Sequence, residues 1–564
     1  MTQAESPAKP ERLSGAEIVV RLLERQGIRI LAGIPGSANL PLYDALLHSK
    51  IIHHVLTRHE QGAGFIAQGM ARASGQPAVC FATSGPGTTN LLTAIADAKL
   101  DSIPVVAITG QVSRNMIGTD AFQEVDTYGL TIPITKHNYL VNSAEELLKV
   151  IPNAFRLAAS GRPGPVLIDI PKDVQLEQVD VVQWPEPGKA DSNPPADGLL
   201  LAAAAKMIAE SARPILYLGG GVVHSGAAEQ ARLLAEKANL PTVTTLLALG
   251  TLAVDHPLLL GMLGMHGAPC ANLSMDESDL LIVVGARFDD RATGKLAEFC
   301  PQAKVIHIDI DPAELDKLRA SHVAIGGDVG TVLEQLLPLI QSQERPVWQA
   351  RIQALKTNSP LRLPGLDDPR SPYGLVRAVA DCLDENAIIA TDVGQHQMWA
   401  AQAYPHRRPR RWLTSGGLGT MGFGLPTALG AALAEPENTV ACFSGDGSLL
   451  MNIQELVTAA QENVNVKVVL MNNSTLGLVH QQQTMFYGER TFAAEFTHVP
   501  DFVALAQACG VRAVNLDTAA DPRAALAEAL TSRGPCLIHC SINVREKVYP
   551  IVPPGAPNRE MLGT

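Results

Sequence analysis

TVACFSGDGSLLMNIQELVTAAQENVNVKVVLMNN, residues 439–473, is predicted to form a strand, a helix and a second strand. TVACFS and VNVKVVLM are short apolar runs, and SLLMNIQELVTAAQ between them has the apolar spacing of a helix. Two strands joined by a right-handed helical crossover lie side by side and parallel. This stretch therefore predicts a parallel α/β sheet.

Polar residues follow both of these strands. Asp446 lies between Gly445 and Gly447 after the first strand, and Asn472 and Asn473 end the second. The carboxyl ends of parallel strands share one edge of the sheet, where such sheets bind ligands. Carboxylate and amide oxygens suit Mg²⁺, and the glycines let backbone N–H groups approach a phosphate. Gly-Asp-Gly alone is a common turn, and Asn-Asn alone often just ends a strand. Their spacing within a strand-helix-strand unit predicts a site for a magnesium-bound diphosphate.

Length and composition exclude several classes of protein. The chain has 564 residues, enough for about three domains of roughly 150 residues or more. Apolar residues make up 46% and charged residues 18%, which is typical of a globular enzyme. A net charge of −12 provides no basic surface for nucleic acid or anionic lipid. We therefore expect an enzyme that binds neither nucleic acid nor a membrane.

The cysteines and the N-terminal segment indicate a cytoplasmic protein. The eight cysteines are scattered, and most lie in apolar strands such as AVCFA and ACFS, so we expect reduced core residues. No apolar run approaches the ~18 residues of a membrane helix. MTQAESPAKPERLSG at the start has acids and no apolar stretch, which predicts a short disordered lead and no signal or transit peptide.

Two polar, proline-rich stretches, residues 183–198 and 358–372, divide the chain into a first, a middle and a last third. Each third alternates short β-branched strands with helical segments, which predicts parallel sheets with helices on both faces. We therefore predict an α/β protein with three doubly wound parallel-sheet domains, spanning residues 1–185, 198–345 and 370–564.

A second informative segment is RHEQGAGFIAQGMARASG, residues 58–75, where a strand end leads into a predicted helix. A glutamate at a helix start usually satisfies the helix dipole, so Glu60 alone would indicate only local structure. Together with the motifs around Asp446 and Asn473, however, this segment resembles the thiamine-diphosphate enzymes. In that family the glutamate hydrogen-bonds the aminopyrimidine ring of the cofactor and promotes its imino tautomer. The resemblance implies that Glu60 is catalytic and that Asp446, Asn473 and Thr475 bind the magnesium.

Further segments narrow the resemblance. They are residues 83–90 (TSGPGTTN), 118–124 (GTDAFQE), 160–166 (SGRPGPV), 262–267 (MLGMHG), 285–291 (GARFDDR), 394–399 (GQHQMW), 415–424 (SGGLGTMGFG) and 477–487 (GLVHQQQTMFY). From about residue 12 onward the chain resembles the catalytic large subunits of acetolactate synthase, also called acetohydroxyacid synthase. That family decarboxylates pyruvate and joins the remaining two-carbon unit to a second pyruvate or to 2-ketobutyrate. The products, acetolactate and acetohydroxybutyrate, lead to valine, leucine and isoleucine.

The resemblance implies two organic cofactors besides Mg²⁺. For thiamine diphosphate it implies a pyrimidine-binding first third and a diphosphate-binding last third, the latter with contacts from Gln395, His396, Gly419, Met421, Gly445, Gly447, Gly477 and Leu478. For FAD it implies a central domain with contacts from Gly219, Gly220, His266, Arg287, Asp309 and Asp328, joined by Arg162 of the first third. The RFDDR segment is typical of FAD-containing biosynthetic members, in which the flavin performs no net redox step.

The resemblance also implies an acceptor pocket. Arg291 is the implied cation for the acceptor's carboxylate, because a guanidinium can bind a carboxylate through two hydrogen bonds. Gln123 is implied to be catalytic through contact with the reaction intermediate, while Phe122 and Met265 shape the apolar wall. Gln482 stands where many members carry tryptophan, which predicts only a weak preference for 2-ketobutyrate over pyruvate. Ser113 replaces the proline that often follows Gln-Val, which leaves sensitivity to sulfonylurea-type inhibitors open. Ser37 replaces the second glycine of a Pro-Gly-Gly turn and has no assigned effect.

Other functions are open at this point. A flavin-dependent pyruvate oxidase of the same superfamily would use FAD as an electron acceptor, although RFDDR, DAFQE and residues 477–487 argue against it. A glyoxylate carboligase lacks the glutamate at the position of Glu60. Intact Glu60, Asp446 and Asn473 argue against a non-catalytic nucleotide-binding scaffold. The resemblance finally implies a homodimer or tetramer, with Glu60 of one subunit facing Asp446 of another, and a small regulatory subunit.

Overall fold

The computed structural model describes residues 11–564 and contains three six-stranded parallel sheets, one in each third. The strand order in the first is His53–Leu56, Ile30–Gly33, Ala78–Ala82, Val105–Gln111, Val166–Pro171 and His137–Leu140. In the second it is Leu259–Met262, Thr242–Thr244, Pro214–Leu218, Leu280–Val284, Lys304–Asp309 and Val323–Gly326. In the third it is Trp412–Leu413, Ile388–Thr391, Val440–Gly445, Val466–Asn472, Cys536–Ser541 and Arg512–Asn515. The predicted α/β fold with three parallel sheets is confirmed.

Helices connect the strands of each sheet. Those of the first third are Gly15–Arg25, Leu40–Leu47, Glu60–Ser74, Pro86–Leu100, Thr127–Thr131, Leu147–Ala159 and Lys172–Leu176. The middle third contains Gly198–Glu210, Gly220–His224, Ala228–Lys237, Pro269–Asp276, Val329–Leu336 and Pro346–Asn358. The last third contains Pro372–Cys382, Gln395–Ala403, Gly424–Ala434, Asp446–Leu449, Glu455–Glu462, Gly477–Phe486, Phe502–Ala508 and Pro522–Thr531.

Both faces of each sheet are buried, as is usual for parallel sheets. Because side chains alternate along a strand, each strand contributes to the core on either face. In Ala78–Ala82 the small residues Ala78 and Cys80 enter one apolar core, while Val79 and Phe81 enter another. All eight cysteines are free thiols, and six of them are buried. None of the helices in residues 11–564 combines the length and the apolarity needed to cross a membrane.

The first and third sheets share one apolar core. It contains Cys80 from the first sheet and Cys442 from the third, together with residues of the helices Glu60–Ser74 and Gly424–Ala434 that cross between the sheets. At the crossing, a Cβ atom on Gly69 would overlap the carbonyl oxygen of Thr427, so only glycine lets the two backbones approach this closely. The first and last thirds therefore pack as one body.

Two local predictions are wrong. The helix predicted between the strands of residues 439–473 is interrupted, because Asp446–Leu449 ends early and the next helix begins at Glu455. In the gap, the Asn452 side chain donates to the Gly422 carbonyl at 2.7 Å, a contact with a distant segment. Within the predicted disordered lead, Glu11–Ser14 pairs antiparallel with Gln178–Val181, while residues 1–10 lie outside the described residues.

Candidate active site

The Asp446 carboxylate lies at the sheet edge that the sequence predicts. Strands Val440–Gly445 and Val466–Asn472 are adjacent and parallel, with Gly445 opposite Met471. Asp446 is 1% exposed, and neither of its carboxylate oxygens has a hydrogen-bond partner among the described residues. Burial raises the pKa of Asp446 to about 6. A buried carboxylate without a partner is costly, so this environment fits a cation.

Asn473 is held in a defined orientation next to this carboxylate. Its Oδ1 accepts hydrogen bonds from Thr475 N at 3.2 Å and from Thr475 Oγ1 at 2.9 Å, and its Nδ2 donates to Gln395 Oε1 at 3.0 Å. Gln395 Nε2 in turn donates to Gln481 Oε1 at 3.0 Å. The amide plane of Asn473 is therefore fixed by Thr475 of its own loop and by Gln395 of the helix Gln395–Ala403.

Gln395 and His396 are the first residues of the helix Gln395–Ala403. A helix start offers free backbone N–H groups, which suit an anion. The His396 Nε2 atom is buried and has no partner within residues 11–564, and burial lowers the pKa of His396 to about 3. A neutral imidazole with an unpaired nitrogen thus lies against Gly445, the residue before Asp446.

The glycines of this edge are closely packed. A Cβ atom on Gly445 would lie 2.8 Å from His396 Nδ1, and one on Gly477 would overlap Gln395 Oε1. One on Gly447 would lie 2.8 Å from Leu476 Cδ2. Residues 11–564 contain no cluster of three His, Cys, Asp or Glu side chains suited to a metal. Asp446 and Asn473 would supply only two side-chain oxygens to a Mg²⁺ ion, a ligand set that suits an ion bound together with substrate phosphates.

A cavity of about 830 Å³ opens beside this edge and extends between the three thirds of the chain. This volume lies in the range of small-molecule and cofactor sites. Predicted cofactor and substrate residues from all three thirds line it: Arg162, Gly220, Met265, His266, Arg287, Arg291, Asp309, Asp328, Gly419, Leu478 and Gln482. Gly219 lies just behind the wall, where a Cβ atom would overlap the carbonyl oxygen of Gly285.

Several predicted flavin contacts already have protein partners. Arg162 Nη1 lies 3.0 Å from Asp311 Oδ2 and 2.9 Å from Glu314 Oε1. Asp328 caps the helix Val329–Leu336 by accepting from Thr331 N at 3.0 Å, and His266 Nδ1 lies 2.9 Å from the Pro550 carbonyl oxygen. Burial raises the pKa of Asp309 and lowers that of His266 to about 4. The cavity thus combines glycines, fixed polar groups and a neutral imidazole, which fits a dinucleotide.

Arg291 has a comparatively free guanidinium at the cavity. Its side chain is 67% exposed, and the nearest carboxylate oxygen, Asp290 Oδ2, lies 3.8 Å from Nε. Nη1 contacts the Met265 sulfur at 3.7 Å. Leu478 and Gln482 reach the same cavity from the helix Gly477–Phe486. This part of the wall can therefore bind a carboxylate beside an apolar surface.

Glu60, Gln123 and Phe122 do not line the cavity of their own chain. Glu60 Oε2 accepts from Asn90 Nδ2 at 3.0 Å, and a Cβ atom on Gly85 would lie 2.7 Å from the Gln123 carbonyl oxygen. Phe122 is 85% exposed. Gln123 has a φ of 59°, a strained backbone conformation of the kind found at functional sites. Within one chain, Glu60, Phe122 and Gln123 therefore lie outside the cavity that Arg291 lines.

Two buried polar residues that sequence reasoning missed support the loop with Gln123. Gln111 Nε2 donates to the Val125 carbonyl at 3.0 Å and to Asp169 Oδ2 at 2.9 Å. Asp169 is fully buried, and burial raises its pKa to about 7. A carboxylate inside the apolar strand VLIDI was the available signal, because such a residue is almost always paired.

Comparisons with known proteins match the whole chain. The N-terminal TPP binding domain of thiamine pyrophosphate enzymes matches residues 13–130, the central domain residues 201–336, and the C-terminal TPP binding domain residues 392–540. The chain is 58% identical to the acetolactate synthase isozyme 1 large subunit of Escherichia coli K12, over 100% of both chains.

Two further relatives also have names as acetolactate synthase large subunits. The chain is 48% identical to the isozyme 2 large subunit of the same organism, over 98% of this chain and 99% of the relative. It is 46% identical to the probable acetolactate synthase large subunit of Methanocaldococcus jannaschii, over 96% and 94%. These matches confirm the predicted enzyme class and its thiamine cofactor, and they do not favour the pyruvate oxidase alternative. The chain belongs to the family of acetolactate synthase large subunits, which are thiamine-diphosphate-dependent enzymes.

Proposed function

We propose that the chain decarboxylates pyruvate and joins the two-carbon unit to a second pyruvate or to 2-ketobutyrate, with thiamine diphosphate, Mg²⁺ and FAD as cofactors. This reaction belongs to the synthesis of valine, leucine and isoleucine. The observation that carries the proposal is the unpartnered, buried Asp446 carboxylate beside the fixed Asn473 amide, in a chain 58% identical to one acetolactate synthase over its full length.

Each group of residues has a proposed role. Asp446, Asn473 and the backbone oxygen of Thr475 hold Mg²⁺, and the N–H groups at the start of Gln395–Ala403 face the diphosphate. When bound, thiamine diphosphate supplies a carbon nucleophile and an electron sink. The Glu60 carboxyl group holds and returns the proton of the aminopyrimidine ring. Arg291 binds the carboxylate of the acceptor and orients it for attack.

The two separated groups imply a site shared between subunits. Glu60 and Gln123 of one chain would complete the cavity that Arg291 lines in a second chain, next to the sheet edge with Asp446, so we propose a homodimer or a tetramer as the active form. The proposed functional units are the pyrimidine-binding residues 1–185, the FAD-binding residues 198–345 and the diphosphate-binding residues 370–564. Because the relatives are named as large subunits, we also propose a small regulatory partner.

Omission of single cofactors from the purified chain tests this function. We expect acetolactate from pyruvate with all three cofactors and a loss of product when thiamine diphosphate, Mg²⁺ or FAD is left out. The flavin spectrum should not change during turnover, because the reaction has no net redox step. Oxygen uptake driven by pyruvate, without acetolactate, would instead support the oxidase.

Gln482→Trp is expected to raise the ratio of acetohydroxybutyrate to acetolactate about tenfold or more when both keto acids compete, since one packed methylene is worth roughly 10–200-fold. Gln482 lies at the cavity, where an indole ring can pack on the extra methyl group. Gln483→Trp on the same helix is the control, because Gln483 does not line the cavity. An unchanged product ratio in Gln482→Trp would contradict the assigned role.

A further inference from the structure

A set of buried charges lies where the first third meets the last. Arg72, Asp97 and Asp101 are 7%, 0% and 2% exposed. Arg72 Nη2 lies 2.8 Å from Asp101 Oδ2 and 3.3 Å from Asp97 Oδ1. Burial and the neighbouring Asp101 raise the pKa of Asp97. Two carboxylates share one guanidinium, so they need further hydrogen-bond donors.

Those donors come from residues 414–422, called the 414–422 loop below, between the strand Trp412–Leu413 and the helix Gly424–Ala434. Each oxygen of Asp101 accepts one backbone N–H group, from Gly416 at 3.0 Å and from Gly417 at 2.7 Å. Asp97 Oδ2 accepts the hydroxyl of Thr420 at 2.7 Å and the hydroxyl of Ser415. The first third therefore holds this loop through four hydrogen bonds, two from backbone amides and two from hydroxyl groups.

The same loop forms part of the cavity wall. Residues 415–419 line the cavity, and Gly419 has a φ of 70°, which favours glycine. The far end of the loop is fixed by Asp392, whose Oδ1 accepts from Gly422 N at 2.8 Å. Gly419 and Met421, the predicted thiamine contacts, lie between the Asp97/Asp101 anchor and the Asp392 anchor. Their position depends on where these two anchors hold the backbone.

Buried charges are a poor source of stability, because apolar side chains of the same volume commonly stabilise a protein as well or better. A carboxylate instead contributes defined geometry, because its two oxygens fix the orientation of the N–H groups from which they accept hydrogen bonds. We propose that Asp97 and Asp101 are positioning residues that hold the 414–422 loop in the conformation that receives thiamine diphosphate. The proposal rests on the proposed function, because it presumes that this cofactor binds here.

Direct binding tests the proposal. Titration of thiamine diphosphate with Mg²⁺, followed by intrinsic protein fluorescence, should give a dissociation constant about tenfold or more higher in Asp101→Asn than in the wild type. Asparagine replaces one carboxylate oxygen with an NH₂ group. That group faces the N–H group of Gly416 or Gly417 and cannot accept a hydrogen bond from it. In the cofactor-free chain, hydrogen exchange at the amides of Gly416 and Gly417 should be faster in this variant.

The matched control is Glu435→Gln. Glu435 directly follows the helix Gly424–Ala434 and forms a partly buried salt bridge with Arg411, which this substitution breaks. It should lower the melting temperature without changing cofactor binding or exchange in the loop. Thr420→Val removes only one hydroxyl from Asp97, so it should fold even where Asp101→Asn does not. Its dissociation constant should rise roughly 2–10-fold, the worth of one hydrogen bond.

The outcomes separate the two proposals. A wild-type chain that binds no thiamine diphosphate contradicts the proposed function itself. If the wild type binds and turns over, while Asp101→Asn and Thr420→Val bind the cofactor equally well and differ only in melting temperature, the positioning role is wrong.

Discussion

Replacing Glu60 with glutamine is expected to lower kcat for acetolactate formation roughly 10²–10⁴-fold, the usual contribution of a positioned acid–base group. Glutamine has the same size and can still accept the hydrogen bond from Asn90 Nδ2, which is 3.0 Å long in the wild type. It cannot exchange a proton with the aminopyrimidine ring. The loss should therefore fall on kcat, with little change in the melting temperature.

Steady-state kinetics and thermal unfolding of the same preparation check this result. The control is Glu229→Gln, because Glu229 also lies in the first turn of a helix but pairs with Arg232 on the surface. It should retain full activity. Activity of Glu60→Gln within a few fold of the wild type would contradict the catalytic role.

The second large effect is expected from Asp446→Asn, which should weaken cofactor binding and stabilise the cofactor-free chain. Loss of a buried charge that pairs with Mg²⁺ costs roughly 2–5 kcal/mol, or about 30-fold or more in the dissociation constant. Without metal, the wild type instead carries a buried carboxylate that has no hydrogen-bond partner in residues 11–564. Removing that charge removes its desolvation cost.

The measurement is the melting temperature in EDTA and again with saturating Mg²⁺ and thiamine diphosphate. The variant should melt higher than the wild type in EDTA and lower than the wild type with cofactors. Asp381→Asn, which removes an exposed partner of Arg377, should change neither comparison. A variant that is less stable under both conditions would show that Asp446 has a structural role.

The sheet edge with Asp446 and Asn473 could be predicted because it depends on local patterns. Strand ends follow from apolar runs, and parallel pairing brings Asp446 and Asn473 to one edge without knowledge of the rest of the chain. The interruption of the following helix could not be predicted, since Asn452 bonds to the backbone of Gly422. The same limit applies to Asp97 and Asp101, whose partners lie more than 300 residues away. A polar residue in a helix gives no sign of such a partner.

The same limit applies to the proposed site residues: motifs could predict which residues they are, but not how the fold arranges them. Motif resemblance predicts roles for Glu60, Gln123 and Arg291, but it could not tell which of them share a cavity within one chain. Only Arg291 of these three lines the cavity. The Glu60 group lies elsewhere because the helix Glu60–Ser74 packs against Gly424–Ala434 and its first residue faces Asn90.

The core shared by the first and third sheets affects the order in which the chain becomes stable. The ribosome makes the first third early, yet that third cannot bury one face of its sheet until the last third has been synthesised. The middle third has two cores of its own and can fold while synthesis continues. In a calorimeter, the outer two thirds should accordingly melt in a single cooperative transition, and a fragment ending before residue 370 should aggregate through its uncovered helix Glu60–Ser74.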